Sequence, residues 1–213
     1  KEIFELFLSL TSKYDKHDFS VGIDFKRYTG IDENVGDSGD SFYNSRITFY
    51  QLIFALAMTR DSLVKNIVKR EYNPSKLDVS ILIDHKIMKG IKILDLGCRP
   101  KPIFARCCRA MGADVWTVDL ISADNFRLDK GFLTQTERNI EIQKHIKLNL
   151  KNEQAVNIIK EKTKGDFNLT TEAQLNASFF DEGEKIAWSL LKKGGVHYNA
   201  SEVDREKGIK LKE

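Results

Sequence analysis

No stretch of this sequence approaches the ~18 consecutive apolar residues that a membrane-spanning helix requires, so nothing in it is expected to cross a bilayer and no membrane partner is expected. Cysteine is scarce. The three present, Cys98, Cys107 and Cys108, are an odd number with no spacing that would make a disulfide framework, and they point to a reducing, cytoplasmic setting. Cys107 and Cys108 are neighbours on one predicted helix and face different directions, which argues against a shared metal site and for packing as small hydrophobes. No cysteine is expected to be catalytic, and no metal is expected. Charge of one sign is also in short supply: 34 Lys and Arg stand against 31 Asp and Glu, and a formal net charge of +3 does not by itself imply nucleic acid. The chain opens at Lys1 without a signal-peptide pattern, so a further segment is expected before it.

Hydrophobic residues at 41% and charged residues at 31% are ordinary for a globular chain, and 213 residues suffice for one substantial domain with an appendage. The chain is organised around the stretch from Ile91 to Leu120. Two apolar runs, Ile91 to Leu96 and Val115 to Leu120, are separated by a turn and by room for a short helix, which predicts a βαβ unit. Asp95, Leu96, Gly97, Cys98, Arg99, Pro100 and Lys101 form the bend out of the first strand, and Pro102 suits the first helical position. The second run closes on Asp119, whose carboxylate is placed to accept hydrogen bonds from both hydroxyls of a ribose.

ILDLGC, a turn, a helix and then GADVWTVDL resemble motifs I and II of the class I S-adenosylmethionine-dependent methyltransferases. The usual turn is DxGxGxG. Asp95 and Gly97 match it, whereas Arg99 and Lys101 stand where the second and third glycines belong. The resemblance implies a Rossmann-like three-layer α/β sandwich, its mostly parallel sheet in strand order 3-2-1-4-5. It also implies S-adenosyl-L-methionine (SAM) as cofactor, held along Asp95, Leu96, Gly97, Cys98, Arg99, Pro100, Asp119 and Leu120, with Asn149 and Leu150 near the adenine. The acceptor is left open between a small molecule, a protein and a nucleic acid.

The domain is expected over 90–213, with a helical cap or lid over 1–89. In the N-terminal part, Glu2 to Leu10 and Ser45 to Tyr72 carry helical periodicity, and a Gly-, Asp- and Asn-rich loop lies between them. By resemblance, Tyr28, Phe42 and Tyr43 are lid candidates; a plain surface loop is the alternative.

Beyond Asp119, His145 to Leu150 alternates as a strand, and Asn149 is either an adenine contact or a turn former. Lys151 to Lys164 reads as a helix closed by Lys164-Gly165, and Phe167 to Thr171 as the next strand. By resemblance that strand is motif IV, with Asn168 in place of the usual aspartate. Asn168, Thr170, Thr171 and Glu172 are expected at its carboxyl end, where open α/β sheets present their chemistry. Glu172 is the candidate general base or orienting carboxylate; the alternative is a solvated glutamate in the first turn of a helix. Asp181 to Lys193 reads as a helix, Gly194-Gly195 as its turn and Val196 to Ala200 as a fifth strand. The remaining charged tail leaves the sheet incomplete at its C-terminal end.

Two other functions are open at this level. A Rossmann-like binding module that has lost the cofactor predicts Arg99 folded into the methionine site. A nucleic-acid modifying enzyme would use Arg99, Lys101, Arg106 and Arg109, unless the arginines of the helix are simply its solvent face.

Overall fold

The computed structural model describes residues 51, 55, 86–100, 102–126, 133–172, 177–199 and 209–212. Of the cap expected over 1–89, only Gln51 and Ala55, both helical and buried, and the turn 86–90 lie within those residues; the candidates Tyr28, Phe42, Tyr43 and Lys101 fall outside them.

Strand β1 (Lys92–Leu96) is followed by α1 (Ile103–Ala110), and β2 (Asp114–Asp119) completes the first unit. β1 is buried along nearly its whole length, as a central parallel strand covered on both faces must be. Pro102 is the residue that precedes α1 rather than its first residue, and its carbonyl accepts from the amide of Arg106 at 3.0 Å. α2 (Gln135–Gln143) starts on a capping box, in which the Thr134 hydroxyl accepts from the Glu137 amide while the Glu137 carboxylate accepts from the Thr134 amide. It leads into β3 (His145–Lys147), half the length the alternation predicts, because the chain turns at Asn149.

α3 (Ala155–Thr163) ends with Lys164 in the left-handed region at φ 68°, ahead of the glycine expected to take that role. β4 (Phe167–Thr171) has the predicted limits, and α4 (Phe180–Leu190) runs directly into β5 (Leu191–Tyr198).

The strands lie in the order β3-β2-β1-β4-β5-β6, with β1 to β5 parallel. The fold is Rossmann-like. Two expectations need correction at its C-terminal edge. Gly194-Gly195 do not connect helix to strand but sit inside β5, where pairing with β4 jumps from Phe167↔Leu191 to Leu169↔Val196. The extra residues bulge out of the ladder, and Gly195 lies so close to its neighbours that a Cβ would meet Leu191 Cδ2, the Lys192 carbonyl oxygen and the Phe167 carbonyl oxygen, each at 2.9 Å. The charged tail, in turn, supplies β6 (Ile209–Leu211), antiparallel to β5. The Gly194 amide donates to the Lys212 carbonyl at 2.8 Å and the Lys212 amide to the Gly195 carbonyl at 3.0 Å, so the bulge is what receives the tail.

A core of Leu94, Leu96, Val118, Ile146, Ile159, Phe167, Ile186 and Leu190 joins the sheet to α3 and α4. Among the described residues no helix is long and apolar enough to cross a membrane.

Candidate functional site

In a sheet of this order the crossovers change side between β1 and β4, and the crevice outside the carboxyl ends of those strands is where such folds bind ligands. Asp95 and Thr171 face each other there in register. The Thr171 hydroxyl donates to Asp95 Oδ1 at 3.0 Å and accepts from Gln51 Nε2 at 2.9 Å, so a residue of the N-terminal part covers this point of the sheet. All three side chains are buried. Burial pushes the Asp95 carboxyl up from 3.8 to about 7; the Thr171 hydrogen bond opposes the rise and the Asp119 charge adds to it.

The turn after β1 has the conformation its departures from the glycine pattern put in question. Gly97 sits at φ 76° and Arg99 at φ 61°, so the arginine takes the left-handed backbone that a glycine would supply. The Gly97 amide donates to the Val118 carbonyl at 2.8 Å and the Arg99 amide to Asp119 Oδ2 at 2.9 Å. Asp119 Oδ1 accepts from the Ile121 amide at 3.2 Å. The carboxylate therefore joins the turn after β1 to the loop after β2, and each oxygen keeps a second lone pair for a ligand hydroxyl. Arg99 is exposed. A non-glycine residue in this region costs about 1–2 kcal/mol. Arg99→Gly is accordingly expected to raise stability by about 1 kcal/mol, after allowance for the freer unfolded chain. An unchanged or lower urea midpoint would count against a strained turn.

The other residues assigned to the cofactor divide by exposure. Leu96, Cys98 and Leu150 point into the core, so only their backbone can face a ligand. Leu120 is 52% exposed beside Asp119. Asn149 is exposed, and its Oδ1 accepts from the Lys151 amide at 3.0 Å, which is the turn-forming role. The structure brings Asp119 and the β3 end together, the Leu148 amide donating to the Asp119 carbonyl at 2.8 Å. It does not bring Asn168 to the carboxyl end: this residue lies near the start of β4, and its Oδ1 accepts from the Lys92 amide at the start of β1.

Glu172 does lie at the carboxyl end, but it is fully buried instead of solvated at a helix start. Its Oε1 is 3.1 Å from His197 Nε2 and accepts from Asn199 Nδ2 at 2.8 Å, while His197 Nδ1 is 2.9 Å from the Thr170 hydroxyl. Thr170 and His197 are also fully buried. His197 and Asn199 escaped sequence analysis; the signal for them was a histidine and an amide two residues apart, flanking Tyr198 at the end of β5.

The arginines of α1 are neither a nucleic-acid surface nor a solvent face. Arg106 makes a two-pronged ion pair with Glu141 of α2, Nε to Oε1 at 2.7 Å and Nη2 to Oε2 at 3.0 Å, with both side chains buried. Arg109 donates to the Val115 carbonyl through Nη2 at 2.8 Å and Nε at 3.2 Å. The cysteines are buried as expected. Burial pushes the Cys107 thiol up to about 12 and those of Cys98 and Cys108 well above their usual range, so none is a ready nucleophile. Among the described residues no group of His, Cys, Asp and Glu could hold a metal.

The sequence matches no family model and no curated protein. Among solved structures it is similar to the MycE methyltransferase from the mycinamycin biosynthetic pathway, in complex with Mg and SAH, at 12% identity and a TM-score of 0.38. That likeness covers 78% of this chain and 44% of the other, so the chain spans less than half the length of the structure it matches.

Proposed function

We propose that this chain is a SAM-dependent methyltransferase. The observation that carries the proposal is the turn after β1, in which Arg99 adopts a glycine-like backbone, leaves its side chain exposed and ties its amide to Asp119. Asp119 would hold the ribose, Leu120 would lie against the adenine, and the backbone from Gly97 to Pro100 would face the methionine end. Asp95, buried and bonded to Thr171, supports the turn from beneath.

When bound, SAM supplies a methyl group on a sulfonium that is already an activated leaving group. Little acid-base help is then required of the chain, whose main task is to hold donor and acceptor in line. Glu172, the candidate general base, is fully buried against His197 and Asn199, so its proposed part is to hold the carboxyl ends of β4 and β5 in place beside the acceptor rather than to take its proton. The acceptor class, whether small molecule, protein or nucleic acid, is set by residues outside this constellation.

Isothermal titration with SAM and S-adenosylhomocysteine (SAH) tests the proposal. Both are expected to bind, and Asp119→Ala is expected to weaken SAH at least about tenfold through two lost charge-assisted hydrogen bonds. Absence of binding to the unmodified chain at millimolar ligand would overturn it.

A further inference from the structure

His145 has no part in the proposed chemistry, yet it lies at the root of the cofactor edge. Its ring is packed edge-on against Phe126, with centroids 4.7 Å apart, and both its nitrogens are engaged. Nε2 lies 2.9 Å from the Ile121 carbonyl, which can only accept, so Nε2 carries the proton. Nδ1 is then the acceptor for the Thr117 hydroxyl at 3.0 Å. From Ile121 the contacts continue: its amide donates to Asp119 Oδ1, and Asp119 Oδ2 accepts from the Arg99 amide. One chain of hydrogen bonds thus runs from the imidazole through the loop after β2 to the turn after β1.

We infer that His145 is a positioning residue for cofactor binding: its neutral ring holds the Ile121 loop so that Asp119 and Leu120 stay set for the nucleoside. The inference rests on the methyltransferase proposal and adds a pH dependence to it. A second proton on His145 would sit on Nδ1, which would then donate to the Thr117 oxygen, and the threonine hydrogen would turn to the Lys144 carbonyl, 3.5 Å away. The cation would also lie within the field of Asp119 at the end of β2, of Glu141 on α2 and of Arg109 on α1. The two carboxylates favour it and the guanidinium opposes it. Burial has the larger effect and lowers the His145 pKa below the ordinary 6.5, so the ring is neutral at pH 7 and charges only in acid. Once charged, it draws on the carboxylate that the ribose hydroxyls need.

The test is SAH affinity by titration calorimetry between pH 7.5 and pH 5 for the unmodified chain, His145→Gln and His145→Ala, each checked for folding by circular dichroism. Gln keeps a donor in place of Nε2 but cannot titrate. The unmodified chain is expected to lose at least about threefold in affinity toward pH 5, as a neutral ring becomes charged. Gln should bind within about twofold of it at pH 7.5 and lose less in acid, while Ala should be weaker by about tenfold throughout, a single lost hydrogen bond. Identical pH profiles for the unmodified chain and Gln, or undiminished binding by a folded Ala variant, would overturn the inference while leaving the methyltransferase proposal standing. Absence of SAH binding to the unmodified chain at every pH would overturn both.

Discussion

Asp95→Asn is expected to stabilise the protein above pH 7 and to leave it unchanged below about pH 4, so that a pH dependence of the unmodified chain disappears in the variant. In the fold the carboxyl titrates near 7, against 3.8 when unfolded. Its contribution to stability is therefore complete below 3.8 and is lost as pH rises toward 7, because the folded state must then either keep a proton that solvent would take or bury a charge. At about 1.4 kcal/mol per pKa unit the loss has a ceiling of roughly 4 kcal/mol. The carboxamide of Asn can still accept from the Thr171 hydroxyl but carries no charge, so it removes the penalty with little change of shape. Urea midpoints from pH 4 to pH 8 measure the difference. Equal stability of the two proteins at pH 8 would show that Asp95 is not held in a buried, unfavourable position.

The ion pair of α1 and α2 carries the second large effect. Glu141→Leu leaves the Arg106 guanidinium buried with its two-pronged partner gone, and should cost about 3–5 kcal/mol. Arg106→Met leaves the carboxylate with only Arg109 Nη1, 3.9 Å away, and should cost less than Glu141→Leu. Together the substitutions replace two buried charges by apolar side chains of similar length, but Arg109, whose Nη1 lies 3.9 Å from Glu141 Oε1, loses that carboxylate and keeps only its bonds to the Val115 carbonyl. The double variant is expected to recover much of the loss of Glu141→Leu, since a buried pair returns little beyond its desolvation, and to fall short of the unmodified protein by what Arg109 loses with Glu141. A double-mutant cycle by chemical denaturation gives all three values. Additive losses would mean that the two side chains act independently.

These cases mark where sequence reasoning stopped. Lys92–Leu96, Asp114–Asp119 and Phe167–Thr171 were legible because a strand buried on both faces must be a short apolar run, bounded here by turn residues. Asp119 at the end of the second run was legible from spacing alone. The burial of Arg106 was not, since a basic residue on a short helix reads as solvent-facing until the carboxylate that neutralises it, 35 positions away, is found. Glu172 was placed correctly and its surroundings were not, because the partners that bury it, His197 and Asn199, lie on and just beyond the end of another strand. Gly194-Gly195 has the composition of a turn and serves as a bulge, which depends on the return of Ile209–Leu211 to the sheet edge.

The sequence by itself determined the order of the first five strands, the position of the turn after β1 and the acidic residue opposite it. Those features are written in local periodicity and in spacings of a few residues. Only the tertiary structure decided that Arg99 could stand in for a glycine. Its backbone strain is tolerated because Asp119, twenty residues on, accepts its amide, and its side chain is exposed. The charge states of Asp95 and His145 were likewise decided there, since burial and opposing partners are properties of packing that no single stretch of chain contains.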